Sequence, residues 1–132
     1  MANEITYNGS IVASSTNFSE RIEPGSLSID LADLEMASGV KEVDNTAAGI
    51  EIVPTSSGLA SGGMYFFRNL STTVVLEIGR GPSGSFAPFL MLKPGEYSIG
   101  RLASTVPATV AVFAKATTAA TAELQFKVFD GA

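Results

Sequence analysis

Apolar and polar residues alternate along several short stretches of this chain, most regularly near its end. From Glu123 to Val128, charged or polar residues occupy every second position, and Leu, Phe and Val occupy the positions between them. A period of two is typical of a half-buried β-strand, because successive side chains of a strand point to opposite faces. A helix would not sort these residues onto two faces. The pattern therefore predicts a strand over 122–130.

The same reading predicts strands along the rest of the chain, separated by turn-forming residues. Pro94-Gly95 fits the centre of a type II turn, because proline presets the first dihedral angle and glycine tolerates the positive second one. Asn69-Leu70-Ser71 predicts an Asx-type turn. Only 30–37 has helical spacing, and it is long enough for a single turn. The predicted strands are 4–13 with a bend or bulge at Gly9, 18–22, 26–31, 49–53, 64–69, 72–79, 86–93, 96–102, 110–115 and 122–130.

Nine to eleven short strands with such joints favour an all-β fold with little helix, either an antiparallel β-sandwich or a jelly roll. A length of 132 residues favours one domain, 1–132. Within it we expect an N-terminal arm or strand at 1–13 and a flexible loop at 54–63, where serine and glycine are concentrated. The runs 64–67 and 89–92 are apolar on both faces, which predicts that a second sheet or a neighbouring subunit covers them.

The composition mainly excludes certain kinds of functional site. The chain has no histidine and no cysteine. It therefore lacks the commonest metal ligands, a thiolate nucleophile, and the side chain that titrates nearest neutral pH. We expect no enzyme activity, no cofactor and no metal.

Charge and hydropathy indicate which partners to expect. The net charge is −5, and the first 60 residues carry nine acidic and two basic side chains. Such a surface would repel a phosphate backbone, so we expect no nucleic-acid binding. No signal-like leader and no apolar stretch long enough to span a bilayer is found in the sequence, so we expect no membrane association and folding in the cytosol.

Two motifs have both a chemical and a structural interpretation. Residues 79–84 satisfy the G-x-G-x-x-G spacing of dinucleotide-binding loops, but a strand is predicted after them instead of the required helix, so we expect a glycine-rich hairpin loop. The acidic cluster Asp30, Asp33 and Glu35 could hold a cation or act as an acid–base pair. It has neither a ligand register nor an apolar pocket, so we expect a solvated acidic edge.

Two segments have a recognisable sequence, Phe-Phe-Arg-Asn-Leu-Ser-Thr-Thr-Val-Val-Leu-Glu-Ile-Gly at 66–79 and Gly-Ser-Phe-Ala-Pro-Phe-Leu-Met-Leu-Lys-Pro-Gly-Glu-Tyr at 84–97, followed by a strand at 123–126. With these segments the chain resembles small β-sandwich virion proteins of tailed bacteriophages. The resemblance covers roughly half of the chain, and its motifs are structural. Similar proteins serve as capsid decoration or cement subunits, and others as tail or head fibre components.

The resemblance implies a non-enzymatic virion structural protein that folds in the host cytoplasm, binds the major capsid protein and forms a dimer or trimer. One alternative is a receptor- or glycan-binding module of a phage tail fibre or spike. A second is a hydrolase that uses carboxylates alone, with Asp30 or Asp33. The contact elements are expected in the N-terminal strand and the 54–63 loop, because termini and loops order easily against partners. The predicted interface residues are Ile5, Tyr7, Ile11, Leu59, Tyr65 and Arg80.

Overall fold

A computed structural model describes residues 5–16, 18–29, 36–60, 62–81, 85–103 and 105–130. In these ranges the protein is nearly all β, as predicted, with one short 3₁₀ helix at Thr55–Ser57. The chain divides into two compact units, residues 1–31 and residues 32–132. The strands are β1 Ile5–Asn8, β2 Ile11–Ser15, β3 Phe18–Ile22, β4 Ser26–Ile29, β5 Met36–Val43, β6 Ile50–Val53, β7 Met64–Asn69, β8 Leu76–Arg80, β9 Ala87–Leu92, β10 Tyr97–Arg101, β11 Val112–Ala116 and β12 Ala122–Phe129.

The first unit contains a two-stranded antiparallel ribbon, residues 5–29. Strand β1 pairs with β4, and β2 pairs with β3. These two strand pairs form the two halves of the ribbon. Gly9-Ser10 separates β1 from β2, and the longer stretch 23–25, in which Gly25 has a φ of 86°, separates β3 from β4. The unequal lengths shift the register as a bulge does. The predicted break at Gly9 is therefore confirmed.

The second unit is a β-sandwich made of two four-stranded antiparallel sheets. One sheet has the strand order β10-β7-β12-β5, and the other has the order β6-β11-β8-β9. We call them the first and the second sheet. Their inner faces share one core, in which Phe67 and Leu124 of the first sheet and Leu76 of the second are fully buried. The predicted antiparallel sandwich is thus confirmed.

Strand β5 was not predicted, and two of its residues fall in the segment 30–37 for which a helical turn was considered. Residues 30–35, including Asp30, Asp33 and Glu35, lie outside the described part of the chain. From Met36 onward the chain pairs with β12 along its full length. Alanine, serine and glycine in this stretch have low strand propensity. Backbone pairing with a neighbour that is remote in sequence determines this edge strand, and local pattern does not reveal it.

The two predicted turns are present. In Pro94-Gly95 the amide of Glu96 donates to the carbonyl of Lys93 at 3.0 Å, and Gly95 has a φ of 79°, as a type II turn requires. After β7, the amide of Ser71 donates to Oδ1 of Asn69 at 3.0 Å, which closes the Asx turn.

The described residues of the 54–63 segment are tethered to the sandwich. Leu59 is buried in the core, and the amide of Ala60 donates to the carboxylate of Asp130. The amide of Gly62 donates to the carbonyl of Val106 at 2.9 Å. The segment is therefore anchored at several points along its length, and its flexibility stays a prediction.

Candidate functional site

The six predicted interface residues fall into three places. Ile5, Tyr7 and Ile11 lie on the ribbon. Leu59 is 4% exposed and belongs to the sandwich core, so its side chain does not present a contact surface. Tyr65 and Arg80, fifteen positions apart in sequence, line the same pocket of the sandwich. The structure therefore directs attention to two surfaces, the ribbon and this pocket.

The ribbon exposes large apolar side chains. Ile11 and Ile22 are register partners across β2 and β3, and they are 65% and 48% exposed. Val12, one position along, is 63% exposed and is the register partner of Arg21. Neighbouring residues of a strand point to opposite faces, so both faces of this half of the ribbon present an apolar side chain. Tyr7, in the other half, is partly buried.

Little within the ribbon compensates for this exposure. A two-stranded antiparallel pair has no second layer to cover it and is marginally stable in water. Its one described salt bridge joins Arg21 to Glu23 at 2.6 Å, with both side chains more than half exposed. An exposed pair of this kind contributes little to stability. Exposed Ile and Val on a thin ribbon are typical of a surface that becomes covered when a partner binds.

The pocket lies between the two sheets, at the edge of the sandwich formed by β9 and β10. Its volume is about 250 Å³. Side chains from four strands and from the segment after β10 line it: Tyr65, Arg80, Phe89, Arg101, Leu102, Ala103, Thr105 and Val106. None of the described residues that line the pocket is acidic. The lining combines two cations with aromatic, aliphatic and hydroxyl groups.

Tyr65 is held in place by contacts on several sides. Its ring stacks on Phe67 with centroids 4.8 Å apart, and its hydroxyl lies 3.2 Å from Oγ of Ser98. Gly100 is its register partner on β10. A methyl group at Gly100 would lie 2.9 Å from the Tyr65 hydroxyl, so the absence of a side chain there leaves room for the ring.

The two arginines of the pocket differ in how they are held. Nη1 of Arg101 donates to the carbonyl of Gly62 at 2.7 Å, which fixes one side of its guanidinium group. The guanidinium of Arg80 makes no hydrogen bond or salt bridge with any residue in the described ranges. Arg80 therefore projects a cation that the described protein does not neutralise.

Sequence reasoning identified Tyr65 and Arg80 but missed Phe89 and Arg101. The signal for Phe89 was present, because the run 89–92 is apolar on both faces. Phe89 lies where the β8–β9 register shifts, between Ile78 and Gly79 on the facing strand, and it is 51% exposed. Arg101 had no local signal, since its role depends on β10 lying beside β7.

The structure describes the two motifs that had suggested other chemistry only in part. The glycine-rich sequence 79–84 begins inside β8, which pairs antiparallel with β9 as a hairpin, and its residues 82–84 lie outside the described residues. The expected hairpin is therefore present in the described strands, and the absence of a dinucleotide site stays a prediction. The acidic cluster at 30–35 lies outside the described residues. Within them, no three acidic side chains come together in a way that would hold a metal ion.

Comparisons with known proteins identify no relative. No protein-family model, no curated protein and no solved structure matches the chain. In the described ranges, none of the helical structure has the length and apolar character needed to cross a bilayer.

Proposed function

We propose that this protein is a non-enzymatic structural subunit of a tailed-phage virion, a capsid decoration protein that binds the major capsid protein through its ribbon. The observation that carries the proposal is the exposure of Ile11, Val12 and Ile22 on a ribbon with no layer of its own to cover them. The segment resemblance at 66–79 and 84–97 supports the virion assignment. The protein folds in the host cytoplasm and joins the shell afterwards.

Burial of these side chains would contribute part of the free energy of attachment. Covering one Ile or Val side chain contributes about 1.5–3 kcal/mol. Three such side chains would support a weak single contact. A shell offers many equivalent positions, and an oligomeric subunit would engage several of them at once, which multiplies modest contacts into strong retention.

The sandwich supports self-association into a dimer or trimer. Its outer faces expose further large apolar side chains, including Met91 on β9 and Tyr97 and Ile99 on β10. Tyr97 and Ile99 lie two positions apart on one face of β10, and exposed apolar residues grouped on one face are typical of protein contact surfaces. Light scattering of the purified protein should report a dimer or trimer, and a strict monomer at high concentration would contradict this part of the proposal.

The direct test is co-sedimentation with empty shells that lack this protein. The wild-type chain should sediment with the shells, and Ile11→Ser combined with Ile22→Ser should weaken binding by at least about tenfold, because two buried apolar contacts are lost. Val40→Ser is the matched control, since Val40 is equally apolar and 54% exposed but lies on the sandwich. No sedimentation of the wild type would overturn the proposal.

The pocket favours a second candidate function, a receptor- or glycan-binding module of a phage tail fibre or spike. Arg80 and Arg101 beside an exposed Phe89 form a recessed surface with polar and apolar character, as carbohydrate sites require. Specific retention of the isolated protein on a glycan array, without binding to shells, would favour this function over decoration.

A further inference from the structure

The pocket at the β9–β10 edge has a composition that selects for a particular ligand chemistry. Two arginines line it, and no acidic residue is found in the described part of its lining. The protein as a whole carries a net charge of −5, so this concentration of positive charge runs against the overall balance. A planar guanidinium fork matches the two oxygens of a carboxylate and can bind them in a bidentate manner. The pocket therefore favours an anion.

The two arginines are suited to act together on one anionic group. Arg101 is oriented by its 2.7 Å bond to the Gly62 carbonyl, which occupies one of its donors and leaves the others available. The guanidinium group of Arg80 donates no hydrogen bond to any described residue, so all of its donors are available. Because Arg101 is already oriented and Arg80 has no described partner to give up, binding of an anion would require little reorganisation of the protein.

The remaining lining indicates what the anionic group is attached to. Leu102 and Val106 are buried and form an aliphatic wall, and Phe89 offers an exposed aromatic face. Tyr65 and Thr105 add hydroxyl groups. The ligand should thus have an apolar face, groups that can hydrogen bond, and a carboxylate. A phosphate alone would leave the aromatic and aliphatic surfaces unused.

Size restricts the ligand further. Pockets for drug-sized compounds have volumes of about 300–1,000 Å³. At about 250 Å³ this pocket is smaller, which suits a single six-membered ring. We propose that it binds the carboxylate-bearing sugar ring of an acidic glycan, with Arg80 and Arg101 on the carboxylate and Phe89 against the apolar face of the ring. The glycan assignment rests on the second candidate function and is independent of attachment to shells.

The test is a titration of the full-length, ¹⁵N-labelled protein with sodium glucuronate, followed by NMR. Glucose serves as the neutral isostere, and sodium acetate supplies a carboxylate without the ring at matched ionic strength. Glucuronate should shift amides around the pocket with a Kd of about 1 mM, as for a single small ligand. Glucose and acetate should bind at least about tenfold more weakly.

Substitutions of single residues test whether glucuronate binds in this pocket. Arg80→Gln should weaken glucuronate binding at least about tenfold, because the bidentate partner is lost. Its side chain has no protein partner in the described ranges, so the fold should be unaffected. Arg68→Gln is the matched control, since Arg68 is exposed on β7 and lies outside this pocket, and its Kd should stay within about twofold of wild type. Phe89→Ala should weaken glucuronate and leave acetate unchanged.

Three outcomes would overturn the proposal. The first is no shift with glucuronate in a sample whose spectrum shows a folded protein. The second is equal binding of glucose, which would exclude a role for the carboxylate. The third is an equal loss in the Arg68→Gln and Arg80→Gln variants, which would indicate general charge attraction. Shell co-sedimentation is measured separately, so failure of this site and failure of the decoration function remain distinguishable.

Discussion

The side-chain amide of Asn69 donates a hydrogen bond to the backbone carbonyl of Leu92 at 3.0 Å and thereby joins the two sheets of the sandwich. Asn69 ends β7 in the first sheet, and Leu92 ends β9 in the second. The same amide donates to the carbonyl of Val74 at 2.7 Å, while Oδ1 accepts from the amide of Ser71. Asn69 is fully buried, and each of these bonds satisfies a backbone group near the core.

Replacing Asn69 with alanine should therefore destabilise the sandwich. Leaving buried polar groups without partners costs about 1–3 kcal/mol, so we expect Asn69→Ala to lower the free energy of unfolding by about 2–3 kcal/mol. Urea denaturation followed by circular dichroism measures this. Asn45→Ala is the control, because Asn45 is exposed, and its effect should stay within about 0.5 kcal/mol. Equal stability of the two variants would contradict a structural role for Asn69.

The same residue illustrates how far the sequence predicts the fold. The Asx turn from Asn69 to Ser71 was predictable, because it depends on three neighbouring residues. The bond to Leu92 was not, since it exists only when two sheets face each other. Strand β5 was missed for a similar reason: its pairing with β12 is remote in sequence and its own residues are poor strand formers.

In the candidate surfaces too, the sequence predicts what depends on neighbouring residues and does not predict what depends on the packing of distant strands. Ile11 was predicted as a contact residue from its place in the N-terminal apolar strand, and the structure shows that it is exposed, while its contact role stays a prediction. That Arg80 and Arg101 line the same pocket was not predictable, because the two residues lie on strands of different sheets. Leu59 was assigned to the interface because it lies in a Ser/Gly-rich segment, but the tethering of that segment places its side chain in the core.

Gly79, the first glycine of the G-x-G-x-x-G sequence, should be required for packing. A methyl group there would collide with the carbonyl of Ala87 on the neighbouring strand. The atoms that the methyl group would meet belong to the backbone of Ala87 and Pro88, which cannot move aside as a flexible side chain can. We expect Gly79→Ala to destabilise the protein by about 1–3 kcal/mol in a denaturation experiment.

Gly39 supplies the matched control for that experiment. A methyl group at Gly39 would lie 3.5 Å from the ring of Phe126, an ordinary van der Waals distance, and Gly39 has no positive φ. Gly39→Ala should therefore be neutral or slightly stabilising. If both variants lose the same stability, close approach at Gly79 is not the cause.

The carboxyl of Asp44 should titrate below its ordinary pKa of 3.8. The Thr46 side chain and then the Thr46 amide, which donates to Oδ1 at 2.8 Å, hydrogen bond the charged form and lower the pKa, and a smaller desolvation effect opposes them. Because the pKa is lower in the folded than in the unfolded chain, the associated stability is present above pH 3.8 and is lost as the pH falls through the folded pKa.

NMR titration of the Asp44 carboxyl carbon checks this prediction. Thr46→Val removes the hydroxyl and keeps the backbone amide, so the pKa should move part of the way back toward 3.8. Thr72→Val, at an exposed threonine outside this turn, should leave the pKa unchanged. An unchanged pKa in Thr46→Val would show that the side-chain bond is not the main cause.

The ribbon and the sandwich should differ in hydrogen exchange. Strand β12 is paired on both sides, with β5 and β7, and its inner residues Leu124 and Val128 are fully buried. Strands β2 and β3 pair only with each other in the described structure and expose Ile11 and Ile22. Because local opening governs exchange in weakly packed segments, amides of β2 and β3 should exchange at least about tenfold faster than those of β12 in dilute protein.

The comparison becomes a test of docking when exchange is measured again with shells present. If the ribbon is the attachment element, protection should rise in β2 and β3 and stay unchanged in β12, because contact with the shell covers the ribbon and adds nothing to a strand that is already buried. The Ile11→Ser, Ile22→Ser variant should show no such rise. Protection that appears instead at β9 and β10 would place the contact on the sandwich and contradict a role for the ribbon.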